Sequence, residues 1–201
     1  MDTAAEHSPE TKGAQTRRAI LEAAITRFGR DGFRSTSVAD IARDAAVGGT
    51  VAYTYFPSKE ALFLAAVDED AAGVITQGLS TVLEDPRVLN WRESLIFTLV
   101  DAVEQHPLAK RLLAGLEPEV TVRVLDIPAL NELRKACTER LRSEQAAGTV
   151  RPDIDPQVLG NGIVAMMLSL LMSVVQLGSE AAVAYAQDVS AVFDAALNLA
   201  P

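Results

Sequence analysis

Tyr53, Tyr55 and Lys59 fall within one stretch of seven residues, with Thr50 and Thr54 beside them and Thr36 and Ser37 a little upstream. Hydroxyls and an ammonium are hydrogen-bond donors, and the ammonium of Lys59 suits an anion such as a phosphate. Lys59 follows Pro57-Ser58 and so occupies the first turn of a new helix. There, free backbone N–H groups and a cation hold one phosphate together. Thr50 offers a methyl group to a thymine and a hydrogen bond to a base edge, and Val51 offers a second apolar contact.

Such donors act together only if helices hold them on one surface. Residues 36–60 read as two short helices around a tight turn. Thr36 or Ser37 caps the first helix, and Ser37 with Asp40 three residues later resembles a capping box with the shorter acid. Val38, Ile41, Ala42 and Ala45 form its buried side. The turn covers Ala46-Val47-Gly48, with glycine expected where the backbone bends sharply. A further helix runs from Gly49 to Tyr55. This is the layout of a helix-turn-helix, which lays its second helix in the DNA major groove. Gly48, Gly49, Thr50, Val51, Tyr53 and Thr54 are then the positions that meet DNA. The doubled Gly48-Gly49 lowers helix propensity, so this helix is expected to fray when free.

The run Gly32-Phe33, Thr36-Ser37-Val38, Ile41-Ala42, Ala45-Ala46-Val47 and Tyr53-Thr54-Tyr55-Phe56-Pro57-Ser58-Lys59-Glu60-Ala61-Leu62-Phe63 resembles the signature of the tetracycline-repressor (TetR) family, in order and without a gap. The resemblance covers residues 14–64. The remainder is similar only in layout, as a helical domain ending in two long helices. The resemblance implies a homodimeric one-component regulator, usually a repressor, that a small ligand releases from DNA. It implies phosphate contacts from Thr36 or Ser37, Tyr53, Tyr55 and Lys59, and base-edge contacts from Gly49, Thr50, Val51 and Thr54. The sequence departs from the family where Gly49 replaces a polar or basic residue, Thr50 replaces Gly, and Ala52 replaces Leu. Gly49 has no side chain to read a base, so readout rests on Thr50, Val51 and Thr54.

The net charge of −9 is unevenly spread. Residues 1–64 carry eight basic and eight acidic side chains, and residues 65–201 carry ten basic and nineteen acidic ones. The first part meets phosphates through a few placed groups, and nucleic acid would be repelled by the second. An apolar content of 49% supports a substantial core. The single cysteine, Cys137, excludes an internal disulfide and any multi-cysteine metal site. Residues 1–13 read as a polar tail without a secretory signal, which leaves the cytoplasm as the expected compartment. An enzyme is not expected, nor is a metal or cofactor. Di-iron bundles need Glu-x-x-His pairs, whereas Ala4 and Val103 stand three residues before His7 and His106. No glycine-rich phosphate loop or nucleophile elbow is visible either.

The fold class that follows is all-α, with about nine helices. A three-helix helix-turn-helix domain over 14–64 precedes a helical effector-binding and dimerisation domain over 65–201. The first helix spans about 14–30 and stops at Asp31-Gly32; the fourth runs from Ser58 to about Leu83. Later helices cover about 89–105, 108–115, 128–147, 156–177 (capped by Asp155 with Pro156) and 180–199. Trp91, Phe97, Val103, His106, Leu113, Met166, Met167 and Leu170 are candidates to line a cavity for a small apolar or amphipathic effector; the same spacing also describes plain core.

Residues 156–179 carry no charge and are long enough to span a membrane. Their internal Asn161, Ser169, Ser173 and Gln176, with acidic flanks, point instead to a helix buried on nearly every side. Gly162, Ala165, Ser169 and Ser173 form a small-residue stripe that admits a second helix closely, and Val189, Phe193 and Ala196 give the last helix an apolar face. Two helices from each of two copies would form a four-helix bundle across a twofold axis. The partners implied are double-stranded operator DNA, a second copy of the chain and the effector, with no membrane.

Overall fold

The structure, a computed structural model, describes residues 11–84, 88, 90–121, 126–178, 188–193 and 195–197. The first ten residues, Asp85-Pro86 and the start of the last helix lie outside them. Every regular element among the described residues is helical. The chain divides into two compact units, residues 1–66 and 67–201.

The first unit holds α1 (Lys12–Ser35), α2 (Val38–Asp44), α3 (Gly49–Tyr55) and the opening of α4 (Lys59–Gly78). Thr11 caps α1, its hydroxyl accepting from the Ala14 N–H at 3.3 Å. Gly32 leaves helical geometry (φ 81°, ψ 169°), so the Asp31-Gly32 pair does interrupt the helix, with one more turn beyond it. Ile20, Ala24, Phe28 and Ile41 are fully buried, as is Leu62 at the start of α4. Each of the isoleucine, leucine and phenylalanine side chains contributes roughly 1.5–3 kcal/mol by leaving water. Phe63 meets Phe28 edge-on at 4.9 Å and Phe33 at 5.0 Å, which fastens the first turns of α4 to α1. Ser58 caps α4, its hydroxyl accepting from the Ala61 N–H at 3.1 Å.

In the second unit α4 continues to Gly78 and passes into one π-helical turn, Leu79–Leu83, where the Glu84 N–H reaches back five residues to the Leu79 carbonyl. Then come α5 (Trp91–Gln105), α6 (Pro107–Leu113), α7 (Pro118–Thr121), α8 (Pro128–Ala146) and α9 (Pro156–Leu177). Residues 188–193 and 195–197 are helical. Asp155 and Pro156 start α9 as their types predict, the Asp155 carboxylate accepting from the Gln157 N–H at 2.8 Å. Gly160 sets the α8–α9 approach, because a Cβ there would stand 2.6 Å from Thr138 Oγ1 and 3.2 Å from its backbone nitrogen.

Within the single chain, α9 is buried on one side only. Only 33% of its most apolar window is buried in the single chain. Ile163, Val164, Met167, Leu170 and Leu171 face inward, while Val158 and Leu177 stand exposed.

Candidate nucleic-acid interface

The turn between α2 and α3 sets the interface. The Val47 N–H donates to the Ala42 carbonyl at 2.9 Å and the Ala46 N–H to the Arg43 carbonyl at 3.1 Å, the paired bonds of a Schellman motif. The residue forced to positive φ is Ala46, at 54°. Gly48 has ordinary extended geometry (φ −65°, ψ 144°) and supplies no side-chain cap to α3. The glycine expected to make the bend therefore does not make it. An alanine does, at the position where α6 and α8 place Gly115 and Gly148, both at φ 73°.

On α3, Ala52 is fully buried, and the helix packs on α1 and α2. That orientation leaves Gly49, Thr50, Val51, Tyr53 and Thr54 exposed, with Tyr53 54% exposed. A Cβ at Gly49 would meet nothing within 4 Å, so the missing side chain there is not a packing requirement. Tyr55 is half-buried, and its hydroxyl lies 3.6 Å from where a Cβ on Gly13 would sit, at the start of α1. Lys59 holds its ammonium 4.4 Å above the Phe33 ring. A cation–π contact of this kind is worth about 0.5–1 kcal/mol and holds a long side chain in place.

The two upstream hydroxyls part company. Thr36 is buried, its hydroxyl donating to the Gly32 carbonyl at 2.8 Å, which removes it from the surface where the sequence placed it. Ser37 is exposed and caps α2, accepting from the Asp40 N–H at 3.2 Å while donating to the Asp40 carboxylate at 2.7 Å. An aspartate, one carbon shorter than glutamate, returns its half of the capping box to the hydroxyl.

A charge network missed by sequence reasoning flanks these donors. Arg27 grips Asp44 through two hydrogen bonds, 2.6 and 2.9 Å, and lies 4.0 Å from Asp40 and 3.9 Å from Asp31. Arg43 bonds Asp40 at 2.8 Å. The hydrogen bond from Arg27 holds the Asp44 carboxyl below its ordinary range; the Ser37 hydroxyl first, then Arg43, does the same for Asp40. Both carboxylates of α2 thus stay ionised with their charge answered. Seventeen residues separate Arg27 from Asp44, a spacing with no helical or strand signature.

The second unit encloses an apolar cavity of about 60 Å³ between α4, α5, α6, α8 and α9. Of the candidates, Val103, Leu113 and Met167 line it. The others lie elsewhere. Trp91 is fully buried, with its ring N–H donating to Glu144 at 2.7 Å and tying α5 to α8. Phe97 is 50% exposed, six residues from Val103 and so about 120° away round the helix. His106 bonds Asp70 through Nδ1 at 2.8 Å. Met166 is half-buried and Leu170 buried, both off the cavity wall. Ala71, Val74, Ile75, Ile127, Leu130 and Leu133 complete much of it, a set that only the packing of separate helices brings together.

The stripe along α9 faces outward. Ala165 and Ser169 are exposed, Gly162 and Ser173 half-buried, and both serine hydroxyls donate to carbonyls four residues back in their own helix at 3.0 Å. Val189 is half-buried and Ala196 exposed, but Phe193 is buried within its own chain; the exposed neighbour is Val192. Phe193 therefore belongs to the core of the single chain.

Known proteins share this arrangement. Residues 20–66 match the family described as bacterial regulatory proteins, tetR family. The chain is 31% identical over 148 residues to the HTH-type transcriptional regulator RutR of Escherichia coli (strain K12), covering 71% of this chain and 68% of RutR. It is 28% identical over 172 residues to the HTH-type transcriptional regulator YdgC of Bacillus subtilis (strain 168), covering 82% and 83%. The crystal structure of a TetR-family transcriptional regulator from Pectobacterium atrosepticum superposes with a TM-score of 0.73 at 17% identity, over 96% of this chain and all of that one, a likeness of fold alone. With the Schellman turn, the outward α3 and the relatives in agreement, the chain belongs to the TetR family and is a DNA-binding transcriptional regulator.

Proposed function

We propose that the chain acts in the cytoplasm as a homodimeric repressor that holds a palindromic operator through α3 and leaves it when a small apolar effector enters the second unit. The observation that carries the DNA half is the orientation of α3, with Ala52 buried and Thr50, Val51, Tyr53 and Thr54 exposed. Tyr53, Ser37 and Lys59 hold phosphates, with Tyr55 beside them. Thr50, Val51 and Thr54 meet base edges, and the backbone of Gly48-Gly49 comes close to DNA where a side chain would stand. The cations of this unit are largely answered by its own carboxylates, so affinity depends on these few contacts and on two half-sites read together.

The dimer half of the proposal rests on the uncovered face of α9 and on its self-satisfied serines, which leave no unpaired hydroxyl for a facing helix to bury. The effector half rests on the apolar cavity. Its 60 Å³ is far below the ~300–1,000 Å³ of ordinary small-molecule sites, so an effector must spread its walls. That small volume also favours a second reading, in which a protein partner exerts the control. A thermal-shift screen with apolar compounds separates the two: no compound raising the melting temperature favours the partner.

The DNA contacts are tested on a duplex selected from a random pool. Tyr53→Ala and Lys59→Ala are each expected to weaken binding on all sequences alike. Lys59→Ala is also expected to lower the salt slope by about 1, the change that accompanies one phosphate left unneutralised, whereas Tyr53→Ala removes no charge and is expected to leave the slope unchanged. Wild-type affinity in both variants rejects the assigned roles.

A further inference from the structure

Lys59 is held differently from Arg27, Arg30 and Arg43. Those three are bonded to carboxylates, at 2.6, 2.7 and 2.8 Å. A phosphate could take any of them only by displacing an anion already in place. The Lys59 ammonium instead stands 4.4 Å over the Phe33 ring. An aromatic face attracts a cation through its quadrupole and leaves the charge unneutralised. The ring is itself fixed. It packs 5.0 Å from Phe63 and 6.2 Å from Phe28. Gly32, just before it, has φ 81°, and the buried Thr36 hydroxyl donates to the Gly32 carbonyl at 2.8 Å, closing the turn that carries Phe33. Phe28, Phe33, Lys59 and Phe63 all belong to the first unit, so the contact is built within one compact body.

We propose that Phe33 is a positioning residue for DNA binding: its ring holds the Lys59 ammonium, still charged, where a phosphate meets it. This rests on the phosphate-binding reading of Lys59 above. A lysine stem free in water gives up its rotamer freedom when it meets a phosphate, and one already resting on a fixed ring gives up less. Phe33 acts in this way without touching DNA.

The test is a double-mutant cycle of Phe33→Leu with Lys59→Ala, measured in the full chain by affinity for a duplex selected from a random pool. Leucine keeps an apolar side chain against Phe28 and Phe63 and removes the π face. Phe33→Leu is expected to weaken binding roughly four- to twenty-fivefold on a duplex with two half-sites, about two- to fivefold at each, the fold-change that matches one exposed cation–π contact. In the Lys59→Ala background the same substitution is expected to change affinity less than about twofold. A merely structural Phe33 would lower affinity alike in both backgrounds. Mono-, di- and trifluorinated phenylalanine at position 33 keep the shape of the ring while draining its π density. They are expected to lower affinity stepwise, and they carry the test alone if Phe33→Leu does not fold. An equal loss with and without Lys59, or an affinity indifferent to fluorination, overturns the proposal and leaves Lys59 on its phosphate. Wild-type affinity in Lys59→Ala overturns both.

Discussion

Ala46 bears a strain that glycine would relieve. A left-handed conformation costs an L-residue about 1–2 kcal/mol, and glycine loses roughly 0.5–1 kcal/mol more backbone entropy than alanine. Ala46→Gly is therefore expected to raise the stability of the first unit by about 0.5–1 kcal/mol, measured by urea denaturation. A fall would show that the Schellman turn gains nothing from glycine. Arg27 makes a second prediction. Its hydrogen bonds depress the folded-state pKa of Asp44 from an ordinary value of 3.8, so the stability they add is present above that value and lost as pH falls through the depressed one. Denaturation between pH 3 and pH 6 is expected to show a steeper acid loss in wild type than in Arg27→Ala. Parallel curves would mean that Arg27 does not set the acid response. Neither residue is legible in sequence as it functions. Ala46 looks like any helix former, and Arg27 reaches Asp44 only because α1 and α2 cross.

At the scale of elements, α3 is a weak helix held in place by its neighbours. It has seven residues, a glycine at its first position, another at its N-cap and no side-chain cap, and helices that short are marginal alone. Its boundaries can be read from Gly48 and Pro57, while its orientation comes from the burial of Ala52. The α8–α9 pair is the opposite case, strong and closely packed. Gly160→Val is expected to cost roughly 1–3 kcal/mol, because its Cβ would press on the Thr138 backbone, which cannot swing aside as a side-chain tip can. Thermal melting checks this, and an unchanged midpoint would mean that α8 and α9 are free to part. The small residues that stand out along α9 in sequence are those of the outward stripe. Gly160, on the inward face, escapes sequence reading because one glycine in a helix of small residues carries no pattern of its own.

At the scale of the whole molecule, α9 turns Val158, Ala165, Ser169 and Leu177 to solvent in the single chain. Ala165→Glu would place a charge on the exposed stripe and is expected to yield monomers by light scattering at micromolar concentration, with loss of tight operator binding. An intact dimer would move the interface elsewhere. The proposed pairing of two copies also agrees with charge. With a neutral 1–64 segment, one helix-turn-helix has little general attraction for DNA, and on the proposed reading simultaneous engagement of two half-sites supplies the affinity.

The sequence by itself determined the helical architecture, the helix-turn-helix, and the caps at Ser37, Ser58 and Asp155. These depend on spacing and on side chains meeting backbone a few residues away, and such local rules are written along the chain. Only the tertiary structure decided that Thr36 turns inward, that Ala46 rather than Gly48 bends the turn, that Trp91 and His106 bind Glu144 and Asp70, and that Phe193 is core. The Ala46 turn and the Thr36 bond close within five residues, but the others depend on which face of one helix meets which face of another. Partners 36 and 53 residues apart have no periodic relation for a linear pattern to reveal.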